Sequence, residues 1–111
     1  MLAPRMDVST DGRAIQLQST ALRTRYRDPE GPALLEPGRP YRLEIDMWAT
    51  ANRLRTGHRL RLDISSADFP KFDRNTNRGG EPGPPLREEP TIQHDPEHPS
   101  HLVLSILGRA P

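Results

Sequence analysis

The sequence predicts an all-β fold, a sandwich or jelly roll, on three observations. Apolar residues recur at every second position in several short runs, the period of a half-buried strand. Thirteen prolines in 111 residues, against roughly 5% in average proteins, leave no room for a helical bundle, because proline breaks helix interiors. Glycine- and proline-bearing turn signals separate the runs, as they do in sandwiches.

The clearest run is 41–48, where Tyr41, Leu43, Ile45 and Met47 alternate with Arg42, Glu44, Asp46 and Trp48. One face is therefore apolar, and Trp48 falls on the polar side, where it is expected to pack on a neighbouring loop. A second strand is expected over 59–64, with Leu60, Leu62 and Ile64 inward and Arg59, Arg61 and Asp63 outward. A third is expected over 101–107, with Leu102, Leu104 and Ile106 on one face and Val103 and Ser105 on the other. Residues 15–17, 22–26 and 91–94 are weaker strand candidates. Asp11-Gly12 signals a tight turn ahead of Ile15, Glu36-Pro37-Gly38 a type II turn ahead of Tyr41, and Thr56-Gly57 a turn ahead of Arg59. Residues 65–90 carry almost no strand pattern. A stretch of that length inside a small domain is either functional or disordered.

Composition narrows the function classes. At 12.5 kDa the chain holds one small domain. The net charge of +1 offers no field for nucleic acid or an anionic membrane. No apolar run reaches the roughly 18 residues of a membrane helix, and no signal peptide opens the sequence. Cysteine is absent, which removes disulfides and thiolate chemistry and makes the cytoplasm the default compartment. The basic residues are arginines apart from Lys71, a skew expected of a high-GC genome.

The residues with chemical potential each meet a simpler reading. His94, His98 and His101 lie with Asp95 and Glu97 in a ligand-rich run, and imidazole and carboxylate suit zinc. Pro96 and Pro99 prevent the helix that would align them, so the run reads as a turn between strands. His58 reads as a turn residue. No serine occupies a G-x-S-x-G elbow, and Ser65-Ser66 reads as a strand end. Glu88-Glu89 reads as solvated. Arg23, Arg25 and Arg27, and again Arg59 and Arg61, form stripes if their segments are strands. Cross-strand pairing with Glu44, Asp46 and Asp63 is the expected use, and Gly79-Gly80 lacks the residues of a phosphate loop.

Several ordered segments carry a resemblance. Asp11-Gly12-Arg13-Ala14, residues 22–27, Leu35-Glu36-Pro37-Gly38, residues 57–62, Ile64-Ser65-Ser66-Ala67-Asp68-Phe69-Pro70, Phe72-Asp73-Arg74-Asn75 and residues 94–102 together resemble the C-terminal domain of X-Pro dipeptidyl-peptidase and cocaine esterase-type serine hydrolases. The resemblance implies part of a jelly-roll, galactose-binding-like β-sandwich over residues 11–111, packed on an α/β-hydrolase domain encoded upstream or supplied in trans. It implies ester or amide hydrolysis by the whole architecture. No member of the Ser-His-Asp triad maps to a position here, so no catalytic residue, cofactor or metal is assigned, and the chain alone is expected to be inactive. Residues 1–10 are atypical. Met1-Leu2-Ala3-Pro4-Arg5 does not resemble the expected strand, and the domain start reads as truncated, so marginal stability is expected. The 69–90 loop, through Asp73, Arg74 and Asn75, is the expected domain interface. The alternative is a standalone sugar- or peptide-binding sandwich with an aromatic platform drawn from Trp48, Tyr26, Phe69 and Phe72.

Overall fold

The computed structural model describes residues 1–108; residues 109–111 of the expected 11–111 domain lie outside the described part. The architecture is all-β. Three strands, β1 (Arg5–Val8), β2 (Ala14–Gln18) and β3 (Arg59–Leu62), form one antiparallel sheet in the order β2-β1-β3. One short 3-10 turn, Thr24–Tyr26, follows β2. Among the described residues no helix is long and apolar enough to cross a membrane.

The hairpin between β1 and β2 follows from its turn chemistry. Gly12 takes a φ of +86° and its N–H donates to the Ser9 carbonyl at 3.0 Å, while the Ser9 N–H donates to the Arg13 carbonyl at 2.9 Å. Asp11 fixes the turn from its side chain, accepting from the Ser9 hydroxyl, the Arg13 N–H and the Arg13 guanidinium. The entry to β3 is a second such turn. His58 N–H donates to the Arg55 carbonyl at 3.0 Å across Gly57. A Cβ on Gly57 would sit 2.8 Å from Thr10 Cγ2, and its φ of +83° disfavours other residues.

Met1-Leu2-Ala3-Pro4-Arg5, which does not resemble the expected strand in sequence, leads into the central one, β1. Leu2 extends the order beyond β1 by bridging to both Ala21 and Ser65. Among the described residues Leu2 and Ala3 are the buried apolar ones, so the core sits under this N-terminal segment. A charge at Arg5 and a proline at position 4 hide the strand from a periodicity reading, yet Arg5-Met6-Asp7-Val8 alternates sides once paired.

β2 meets the 15–17 expectation and β3 meets the 59–64 one over its first four residues, with Leu60 and Leu62 on the more buried side; Ile64, expected inward, lies past the strand's end and is exposed. Other expectations are corrected. Residues 41–48 keep the expected alternation, half-buried at Tyr41, Leu43, Ile45 and Met47 and exposed between. They pair with no strand among the described residues, and no main-chain hydrogen bond joins them to another segment. The same holds for 101–107 and 91–94. Within 22–26, Thr24–Tyr26 form the 3-10 turn rather than a strand, because Tyr26 and Arg27 N–H groups bond back to Arg23 and Thr24 carbonyls. Trp48 packs on nothing: it is 76% exposed, with a φ of +57° set by an Asp46 side chain that accepts its N–H.

Charge pairing is also more local than expected. Arg42 pairs with Glu44 and Arg61 with Asp63, each two residues along one extended segment, instead of across strands. Without a strand beside 41–48, the i+2 neighbour on the same face is the nearest partner. These pairs are solvent-exposed and contribute little.

Candidate docking site

The 65–90 segment is hydrogen-bonded to itself and to the sheet. Leu2 and Ser65 exchange N–H···O bonds of 2.8 and 3.1 Å, which fixes its first residue. Its far part closes on a neck where Leu86 N–H donates to the Thr76 carbonyl at 3.0 Å and Asn77 Nδ2 donates to the Leu86 carbonyl at 2.8 Å. Arg78 Nε spans the neck to the Pro84 carbonyl at 2.6 Å. These contacts build a compact loop of the kind that carries function on a surface.

Asp73, Arg74 and Asn75 lie at the exposed front of this loop. The Arg74 guanidinium stands 4.9 Å from the centroid of the Phe69 ring, a cation–π contact that holds the arginine in the open. Asn75 uses its side-chain carbonyl to accept the Asn77 N–H at 3.1 Å, which shapes the turn. Among the described residues Asp73 has no ion-pair partner. Beside them, Phe69 and Phe72 remain exposed, and Lys71 reaches back 2.9 Å to the Ser19 hydroxyl. The front therefore offers two aromatic rings, a guanidinium and a carboxylate on one ordered loop.

The histidine run folds as a turn. The Asp95 carboxylate accepts the N–H groups of His98 at 2.8 Å and Glu97 at 2.9 Å, with the His98 ring at 3.3 Å. Among the described residues no group of three His, Asp or Glu side chains is placed to hold a metal ion. The His98 N–H, the Glu97 N–H and then the His98 ring hold the Asp95 carboxyl below its usual range. Asp11 is lowered likewise, first by the Ser9 hydroxyl and then by the Arg13 N–H. A carboxyl depressed in the folded state stabilises the fold above its unfolded value, and that contribution fades as pH falls through the folded value. An NMR titration is expected to place both carboxyl midpoints below that of aspartate in an unfolded peptide; Asp95 moving up to the peptide value would contradict the turn.

Two features had no signal in the sequence. His58 Nδ1 lies 2.8 Å from Asp7 Oδ1 with both side chains about four-fifths buried, tying the β3 entry to the central strand. Arg5 is buried at the start of β1. Strand pairing across more than fifty residues brings the first pair together, and no local pattern announces it. Tyr41, expected in the core, is half-buried between the Arg27 and Arg39 guanidiniums, at 4.5 and 5.2 Å from its ring centroid.

Residues 6–103 of the chain match the X-Pro dipeptidyl-peptidase C-terminal non-catalytic domain. The chain belongs to that family. A curated relative, cocaine esterase from Rhodococcus sp. (strain MB1 Bresler), is 46% identical over 110 residues, covering 94% of this chain and 19% of the relative. This X-Pro dipeptidyl-peptidase C-terminal domain therefore spans about a fifth of the length of the curated relative it matches. No solved structure matches it. In the Rhodococcus protein the corresponding stretch sits within a much longer chain, and the family description places catalysis elsewhere.

Proposed function

We propose that this domain works as the docking partner of an α/β-hydrolase domain, in cytoplasmic serine hydrolases that cut ester or amide bonds. The observation that carries the reading is surface. A folded monomer of this mass exposes about 6,200 Å² by the general scaling with mass, whereas this chain exposes 9754 Å². The excess is well above the roughly 1,600 Å² that a standard protein interface removes from solvent. It is apolar in part, since Phe69, Phe72, Trp48, Val103 and Ile106 are all exposed. A polar loop with fixed arginine and aromatic groups suits the contact, because Arg and aromatic side chains dominate interface energetics.

The test is a chimera in which this chain replaces the matching 19% of the Rhodococcus esterase. Esterase activity and a cooperative melt are expected of it. Arg74→Ala with Asn75→Ala is expected to weaken docking by about 1–3 kcal/mol, the range of a good interface anchor, read as a melting temperature several degrees lower. Unchanged melting and unchanged activity in the double variant would remove this loop from the interface.

A further inference from the structure

Arg5 is 8% exposed, on the central strand of the sheet. The bulge between Arg5 and Met6 sets Gln18 opposite it, and Arg5 Nη2 donates to Gln18 Oε1 at 2.9 Å. Its Nε, fully buried, has no hydrogen-bond partner in the protein. Among the described residues no carboxylate lies within ion-pair distance. Asp7, two residues along the same face, is taken by His58. A guanidinium does not shed its proton in a protein, so burial does not neutralise it, and an isolated buried charge is strongly unfavourable. Among the described residues Arg5 has no counter-ion.

The setting says what form that counter-ion takes. Arg5 and its β3 neighbour Leu62 share one face of the sheet and line an open trough, with Leu43, Ile45 and Leu102 also on its walls. The trough is bordered by residues 41–48, an extended segment with both backbone edges unpaired. Open edges accept an added strand, and the side-on edge of a guanidinium fits the two oxygens of one carboxylate. We propose that the trough receives an extended segment from the part of the longer polypeptide outside the matched fifth, and that this segment carries an aspartate or glutamate to Arg5. The proposal rests on the docking role given above and names the partner's chemistry.

Arg5→Met in the chimera with the Rhodococcus esterase tests it, with Arg5→Lys as the variant that keeps the charge. Removing one member of a buried ion pair orphans the other. The orphaned carboxyl, desolvated, has its folded-state pKa raised above the unfolded value, so the variant recovers stability relative to its parent as pH falls. Arg5→Met is therefore expected to melt at least about 3 °C below the parent at pH 8, with the deficit shrinking by pH 5, while Arg5→Lys keeps most of the parent's stability at both. Asp7 and His58 face the same side of the sheet and are present in parent and variant alike, so the difference between the two isolates position 5. Melting at or above the parent at both pH values overturns the proposal. So does a deficit of equal size at both, which reports only lost packing of the arginine stem. A folded, active chimera indifferent to Arg5 removes the carboxylate alone; a parent chimera that does not fold removes the docking role and this inference with it.

Discussion

Expressed by itself, the 111-residue chain is expected to associate or to melt without a sharp cooperative transition, and to bind an apolar dye such as ANS. The reason lies in how little it buries. Ordering each residue costs roughly 1–2 kcal/mol of backbone entropy, and burial of apolar surface must offset it at about 25 cal/mol per Å². Among the described residues Leu2 and Ala3 are the buried apolar ones, while Ile15, Leu34, Val103, Ile106 and Leu107 are exposed. A radius of gyration of 16.7 Å against about 13 Å for a compact chain of this length describes the same shortage. Addition of the remaining part of the Rhodococcus esterase is expected to raise the melting temperature by about 10 °C or more through binding to the folded form. A monomer that melts sharply and reversibly above about 60 °C, at the top of the ordinary range, would contradict the docking role.

Much of the fold is legible in residue types. The Asp11-Gly12 and Thr56-Gly57 turns stand where their chemistry demands, and the Glu36-Pro37-Gly38 turn forms with Gly38 at a φ of +78° and Arg39 N–H on the Glu36 carbonyl. The alternation at 41–48 also survives as alternating burial. What periodicity does not contain is who pairs with whom. It marks 41–48 and 101–107 as strands, yet a ladder needs a second segment alongside, and among the described residues neither has one. The converse failure is β1, where Pro4, Arg5 and Asp7 mask a strand that is central to the sheet and half-buried beyond Arg5. For the candidate site, the sequence singles out Asp73, Arg74 and Asn75 on a patternless loop, but the self-bonded shape of that loop emerges only once Thr76 and Leu86 meet. Asp7–His58 and the unpaired Arg5 depend on contacts between distant parts of the chain, which one-dimensional patterns do not encode.

Ile45→Asp separates the two states of the molecule more sharply than any loop substitution. Residues 41–48 reach about 26 Å at the rise of an extended strand, with N–H and C=O groups open along both edges. Such groups find partners once removed from water, and in the proposed docked state an added strand supplies them. In the isolated chain Ile45 is only half-buried, and an aspartate there keeps its water. The expected result is higher solubility and weaker dye binding. In the chimera the same face is covered, and a carboxylate buried among Leu43, Met47 and the incoming segment costs several kcal/mol without a partner, enough to exhaust the stability of a marginal domain. Loss of the folded chimera and of its esterase activity is expected, while Glu44→Ala, on the exposed side, changes stability by less than about 0.5 kcal/mol. A chimera carrying Ile45→Asp that melts and turns over like its parent would show that the apolar side of 41–48 stays in solvent, and the strand-completion argument would fall with it.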